Sequence, residues 1–238
     1  MGVENAGNKN STCVVDMFND IAPTYDKINH RLSFGIDKIW RRKLRRTIKQ
    51  LNHSSVLDMA AGTGDLTIEL AKLNPHILFA ADPSEKMLEI AEKKLKKSNI
   101  KCELTKCNAE KTPFDANYFD IVSCAFGIRN FESLENGLAE IYRILKPNGH
   151  IAILEFGMPA NMLWRLIYKF YFNLFIPIIG RRMSKNKTAY SYLNSTVKQF
   201  PYGSDFLNIL EEHKYKMVRI KKLSGGISWI YIAKKIIA

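Results

Sequence analysis

The chain is 238 residues long, room for one large domain with an elaborated insertion. Apolar residues make up 46% and charged residues 25%, which excludes disordered, collagen-like and coiled-coil chains. Lys and Arg number 36 against 23 Asp and Glu, and this +13 excess points either to an anionic partner or to a solvated basic surface.

Cys13, Cys102, Cys107 and Cys124 form no CxxC pair, and the five His residues do not cluster with them. Neither a disulfide framework nor a zinc site is expected, and reduced thiols in a cytoplasmic protein are the simplest account. The opening MGVENAGNKN lacks an apolar run, so no signal peptide is expected. Ala6 stands where acylation of Gly2 would want Ser or Thr.

Residues 1–12 read as a loose tail, and Val14 to Gln50 as helical and highly charged. An alternation of strands and helices follows. Strands are expected at Val56–Ala60, Ile77–Ala81, Cys102–Cys107, Phe119–Phe126 and Ile151–Phe156. Helices are marked by Leu66, Leu70 and Leu73, by Met87, Leu88, Ala91 and Leu95, and by Leu134–Leu145. This rhythm predicts an α/β fold with a parallel sheet covered on both faces. Residues 157–205 break it as an insertion that reads as helical, dense in aromatics and without an acid from 157 to 204. Met162 to Gly180 is the longest apolar stretch. Arg165, Lys169 and Asn173 recur four residues apart in it, so it reads as an amphipathic helix rather than a membrane span. Met217–Leu223 and Ile227–Ala233, joined by Ser224-Gly225-Gly226, form an antiparallel edge hairpin. The division expected is 1–50 as an N-terminal helical segment and 51–238 as the main domain.

In an open parallel sheet, ligands bind beyond the carboxyl ends of the strands. The first strand runs into Asp58-Met59-Ala60-Ala61-Gly62-Thr63-Gly64-Asp65. Small residues there let backbone N–H groups approach a ligand, and a helix begins at once. Thr67 stands at the third glycine position of the dinucleotide fingerprint, which weakens a pyrophosphate reading. Asp82 closes the second strand, where a carboxylate can accept from two ribose hydroxyls. Asp82-Pro83-Ser84-Glu85 also reads as a helix cap, with Asp82 capping and Pro83 in the first turn. Asn108-Ala109-Glu110 follows the third strand and offers an amide to a base edge.

The runs Asp58–Asp65, Asp82-x-Ser84-x-x-Met87-Leu88, Asn108-Ala109-Glu110 and Leu145-Lys146-Pro147-Asn148-Gly149 together resemble a class I S-adenosylmethionine-dependent methyltransferase. Narrower motifs resemble the C-methyltransferases of menaquinone and ubiquinone biosynthesis. They are Met17–Ala22 with Tyr25-Asp26 and Asn29, Ser33-Phe34-Gly35, Trp40-Arg41, Phe126–Asn130, Leu154-Glu155-Phe156, Ala189-Tyr190-x-Tyr192-Leu193 and Phe200-Pro201. Ala60, Ala61 and Asn148 stand where glycine is usual. The resemblance implies a Rossmann-like domain with a seven-stranded, mostly parallel sheet and an antiparallel C-terminal hairpin. It implies Thr63, Asp82, Asn108 and Ala109, with Asp58, Gly62 and Gly64, as contacts of the methyl donor S-adenosylmethionine. Tyr25, Asn29 and Asn130 are implied on the acceptor side.

The reaction implied is C-methylation of a reduced polyprenyl quinone, demethylmenaquinol ahead of the corresponding benzoquinol, with no metal. Arg129 is the catalytic candidate, a fixed guanidinium that stabilises a phenolate. Its pKa, above about 12, excludes it as the base. Water, Tyr25, Asp26 and His30 remain open for that role. Polyprenyl quinones live in lipid, so an anionic membrane surface is an expected partner and the enzyme is expected to be peripheral. Arg31–Lys49 carries eight cations and one acid, Asp37, and residues 157–204 carry seven cations without an acid. A homodimer or a quinone-synthesis complex are both open. Nucleic acid is not expected as a partner, since the Asn/Asp-Pro-Pro-aromatic run of base methyltransferases is replaced by Phe126-Gly127-Ile128-Arg129-Asn130. A non-catalytic donor-binding subunit is the rival from another class.

Overall fold

The computed structural model describes residues 11–159, 161–170 and 188–236. The sheet comprises β1 (Ser55–Met59), β2 (Ile77–Ala81), β3 (Glu103–Thr105), β4 (Phe119–Ala125), β5 (Leu145–Phe156), β6 (Tyr215–Leu223) and β7 (Ser228–Lys235). Its order is β3-β2-β1-β4-β5-β7-β6. The first five strands pair in parallel, and β7 runs antiparallel to both β5 and β6. This is the expected Rossmann-like sheet with its C-terminal hairpin. β1 is buried along its whole length, so Val56, Leu57 and Met59 show no alternation and the polar Ser55 and Asp58 are buried with them.

The helices are α1 (Ser11–Leu32), α2 (Ile36–Ile48), α3 (Asp65–Ala71), α4 (Glu85–Lys97), α5 (Leu134–Ile144), α6 (Met162–Phe170), α7 (Thr188–Gln199) and α8 (Ser204–Glu212). Leu138, Ile141 and Ile144 of α5, with Phe206 and Leu210 of α8, pack on one face of the sheet against Leu57, Val122 and Ile151. Trp40, Leu44 and Ile48 of α2, with Leu66 and Leu70 of α3, cover the other face at Val56, Ile121 and Ala152. A third cluster joins Ile21, Ala22 and Ile28 of α1 to Met87 of α4 and Val197 of α7.

Several sequence boundaries shift. Ser11 already begins α1, so the expected tail is two residues too long. The charged N-terminal stretch is two helices, because Phe34 (φ 51°) and Gly35 (φ 74°) turn the chain through the left-handed region. Cys102–Cys107 shrinks to the three residues of β3. β4 stops before Phe126, whose φ of 59° is incompatible with a strand. The amphipathic helix expected from Met162 is present to Phe170, and the rest of that stretch, with residues 1–10, lies outside the described residues. Among the described residues no helix is long and apolar enough to cross a membrane.

Candidate active site

The strand order reverses between β1 and β4, so the loops after these two strands diverge and leave a crevice at their carboxyl ends. A cleft open to solvent lies there. Asp58, Gly62, Thr63, Asp82, Asn108 and Ala109 line it, as do Tyr25 and Asn130. Gly64, Asn29 and Arg129 are not among the lining residues. Val14, Val15 and Phe18 of α1 form a further wall that sequence reasoning did not assign. Asn29 lies one turn past Tyr25 on the same helix, about 6 Å farther along its axis.

The turn after β1 is built by backbone conformations that side chains rarely adopt. Ala60, Gly62 and Gly64 have φ of 55°, 55° and 81°. A Cβ on Gly62 would meet nothing within 4 Å, so this position opens on the cleft. A Cβ on Gly64 would lie 3.2 Å from Ala91 Cβ, so that glycine serves the packing of α4. The Asp82 carboxylate ties the turn to β2: it accepts from Gly62 N–H at 2.8 Å and from Ser84 N–H at 2.9 Å. Ser84, not Asp82, is the N-cap of α4 and accepts from Met87 N–H. Asp82 is therefore a loop tether with lone pairs still facing the cleft rather than the helix cap expected as its alternative role. Burial pushes its carboxyl up to about 6, against the two N–H bonds.

Asp58 is 1% exposed. One oxygen accepts from the Thr67 hydroxyl at 2.6 Å, so the residue that breaks the glycine fingerprint has a use of its own. The other oxygen, Oδ1, is buried with no hydrogen-bond partner among the described residues. Burial raises this carboxyl to about 7, with Thr67 and Arg41 pulling it down and Asp82 adding to the rise. A buried, half-satisfied carboxylate on a cleft floor suits a cationic ligand. With the open Gly62 position and Asp82, these residues fit an aminoacyl sulfonium nucleoside.

A polar clasp closes the cleft on the α1 side. Thr63 donates to Asp26 Oδ1 at 2.5 Å, and Lys94 bonds Asp26 Oδ2 at 2.8 Å and also Asp65. Asn19 accepts from the Ser84 hydroxyl at 2.7 Å. Next to this clasp, His30 lies 2.8 Å from Asp37 and 3.4 Å from Asp65, and Arg41 pairs with Asp37 at 2.5 Å. Burial opposes ionisation of Asp37, but Ser33, Arg41 and His30 hold its carboxyl below the usual range. His30, Asp37 and Asp65 bring one ligand atom each within 4.8 Å of one another, in a lattice that Arg41 and Lys94 already neutralise. Asp26 and His30, two of the open base candidates, are thus engaged in this clasp. Half-buried Tyr25 lines the cleft, and burial raises its hydroxyl pKa, with Arg129 acting against the rise.

Arg129 is 6% exposed in the short 3-10 helix Ile128–Asn130 after β4. Its Nη1 donates to Phe126 C=O at 2.5 Å and pairs with Glu155 Oε1 at 2.8 Å. Its guanidinium stands 5.3 Å from the Phe156 ring centroid, while Arg41 stands 5.4 Å from that of Phe126. Gly127 lets this loop meet the first one, since a Cβ there would lie 2.6 Å from Ala60 Cβ. Sequence reasoning gave Glu155 no role of its own. The available signal was an acid inside the apolar run Ile151–Phe156, in a strand buried at the centre of the sheet.

A model of the ubiE/COQ5 methyltransferase family matches residues 6–235. A demethylmenaquinone methyltransferase of Bacteroides fragilis is 39% identical over 230 residues, covering 95% of this chain and 94% of that one. A ubiquinone/menaquinone biosynthesis C-methyltransferase UbiE of Rickettsia felis is 38% identical over 235 residues, covering 96% and 94%. Among solved structures, a SAM dependent methyltransferase from Aquifex aeolicus superposes with a TM-score of 0.63 at 18% identity, covering 89% of this chain and 98% of that one. The [4+2]-cyclase SpnF reaches 0.69 at 12% identity, covering 96% and 97%, so the fold alone does not fix the chemistry. Sequence similarity along nearly the whole chain does what the fold cannot: this chain belongs to the ubiE/COQ5 methyltransferase family.

Proposed function

We propose that this chain methylates a ring carbon of a reduced polyprenyl quinone, demethylmenaquinol in the first place and the corresponding benzoquinol in the second. S-adenosylmethionine supplies the methyl as an activated sulfonium electrophile. The observation that carries the reading is the pairing of two features at one crevice. Asp58 and Asp82 lie at the carboxyl ends of β1 and β2, and the buried Arg129 adjoins Asn130 on the cleft wall. The carboxylates suit a cationic nucleoside. A guanidinium held off solvent suits the phenolate that a nucleophilic ring carbon requires. The described N-terminal helices α1 and α2 serve as the acceptor-side cover, and the reaction needs no metal.

The test is purified protein with labelled donor and each reduced quinone, followed by mass analysis of the product. Methyl transfer to the naphthoquinol is expected, and transfer to neither quinol defeats the reading. Arg129→Leu should cut turnover about 100-fold or more while donor affinity measured by calorimetry changes little.

Contact with the bilayer belongs to the same reading. Met162, Leu166 and Phe170 follow one another at four-residue spacing along α6 and are 76%, 57% and 61% exposed. Of the cations in the Arg31–Lys49 stretch, Arg41 and Arg45 are committed to Asp37 and Glu69, which leaves exposed Lys38, Arg46 and Lys49 among those available to anionic headgroups. Each contributes about 1 kcal/mol near such a surface. Liposome co-sedimentation should rise with anionic lipid content.

A further inference from the structure

We propose that Glu155 is the proton acceptor for the quinol hydroxyl, acting through Oε2 while Oε1 holds Arg129. This rests on the quinol reading above and assigns the base which that reading lacks.

Glu155 is fully buried on the penultimate position of β5. Its Oε1 accepts from Arg129 Nη1 at 2.8 Å and from Phe156 N–H at 2.9 Å. Its Oε2 is buried with no hydrogen-bond partner among the described residues. The same condition holds for Asn130 Oδ1 on the cleft wall and for the Tyr192 hydroxyl on α7, which feels the charge of Arg129. Buried polar atoms are rarely left without partners, because the water they lose on burial is then not replaced. Glu155 and Tyr192 both feel the charge of Arg129, and Asn130, its neighbour in the chain, lines the cleft, so a molecule with hydroxyl groups entering past Asn130 would supply the missing partners. A hydroquinone has two.

The groups facing Glu155 leave it as the best-placed base. Arg129 is its cation, and Cys124 of β4 and Tyr231 of β7 sense its charge. Both of these neighbours have pKa values raised by burial, so they remain protonated. Tyr25 and Tyr192, which sense Arg129, are raised as well. Burial also raises Glu155, with Arg129 and the Phe156 N–H opposing the rise. A raised carboxylate is a stronger base than an ordinary one.

Charge conservation supplies a further argument. Before transfer the buried site holds a carboxylate, a guanidinium and a neutral phenol. After transfer to Glu155 it holds a carboxylic acid, the same guanidinium and a phenolate. The net charge of the site is unchanged, and Arg129 always faces one anion. Loss of the proton to water with Glu155 still ionised would instead set two anions, Glu155 and the phenolate, against one guanidinium, with only the donor's sulfonium to offset the second.

In this step the phenolic O–H bond breaks, its proton passes to Glu155 Oε2, and its electron pair stays on the quinol oxygen. The ring carbon ortho to that oxygen bonds the methyl, while the pair of the broken C–S bond stays on sulfur. The ring C–H proton then leaves to water, its pair restores the aromatic ring, and Glu155 returns its proton to the quinol oxygen. One proton is released per methyl transferred.

Glu155→Gln tests this, because the amide oxygen can keep the bonds to Arg129 and Phe156 while losing basicity. Turnover is expected to fall by about 10²–10⁴-fold with donor affinity, measured by calorimetry, within about 2-fold of wild type. The acidic limb of kcat/KM for the quinol, measured at saturating donor so that titration of Asp58 and Asp82 does not enter, should vanish. Glu155→Asp, which keeps a carboxylate one methylene shorter, should lose turnover but retain that limb, and it decides the matter if the Gln variant does not fold. Retention of wild-type turnover, or of the acidic limb, in Glu155→Gln overturns the assignment, as does loss of the limb in a folded Glu155→Asp. If wild type methylates neither quinol, the functional reading fails first; if wild type methylates and Glu155→Gln matches it, only the Glu155 assignment fails.

Discussion

The two ends of the sheet bury acids of the same kind and treat them differently. At the amino ends of β1 and β4, Asp120 accepts from Asn52 at 2.9 Å, from the Ser55 N–H at 2.8 Å, from the Ser55 hydroxyl at 2.9 Å and from Lys146 at 3.2 Å. Burial pulls its pKa upward, but Ser55 and Lys146 outweigh that and hold it below the usual carboxylate range. At the carboxyl ends, Asp58 has one donor and one bare oxygen, and Asp58 and Asp82 are pushed up to about 7 and about 6. The first arrangement is complete without a ligand and holds strands together. The second is incomplete and is stabilised by whatever supplies the missing positive charge and donors.

The contrast breaks most sharply at Asp82. Asp82→Ala removes the acceptor offered to the ligand and releases the Gly62 tether, so donor affinity should fall about 100-fold by calorimetry, in line with about 1.5–3 kcal/mol for a charged hydrogen bond. At the opposite end, Asp120→Ala should leave donor affinity unchanged and cost about 2 kcal/mol of unfolding free energy in urea titration, since its donors lose their acceptor. Weakened donor binding in that variant would show that the two ends are not independent.

A pH series sharpens the same comparison. In the unfolded chain an Asp titrates near 3.9. Asp58 and Asp82 are raised in the fold, so their contribution to stability is fully present below about pH 4 and is lost as pH rises through about 6 and about 7. Each contributes a slope of about 1.4 kcal/mol per pH unit while it is protonated only in the folded state. Asp120 is lowered, so its contribution is present above about pH 4 and is lost only in stronger acid. Asp58→Asn should flatten the ligand-free stability profile between pH 4 and 7, approximately the window of the raised group. In wild type, affinity for a cationic donor should weaken as pH falls through that window. The smallest effect is expected at Ala60, whose φ of 55° costs an L-residue roughly 1–2 kcal/mol. Ala60→Gly should raise the thermal midpoint modestly, by about 1 kcal/mol in stability, less the entropy that glycine adds to the unfolded chain.

What could be read beforehand follows the distance along the chain over which each feature is determined. The Asp58–Asp65 turn and Asp82 were legible because strand ends, glycines and helix starts are local signals. Ala60 and Asn148 were recognised as departures from glycine, and both have positive φ. The distinction between Ser84 as cap and Asp82 as tether was lost, since either sequence pattern precedes a helix. Thr63 and Asp26 are 37 residues apart and Arg129 and Glu155 are 26 apart, so their pairings depend on which loops the sheet order brings together. Glu155 was passed over within a family motif, though an acid in a central strand has to find a partner.

The clasp of α1 has a consequence for traffic. Asn19 and Asp26 fasten this helix to the loops that line the nucleoside side of the crevice, and Val14 and Phe18 are themselves part of its wall. Replacement of a spent nucleoside through that wall requires unzipping Ser84 from Asn19 and Thr63 and Lys94 from Asp26. The wall that such an exchange would have to open is thus a helix outside the Rossmann-like sheet, joined to α2 through the left-handed turn at Phe34 and Gly35.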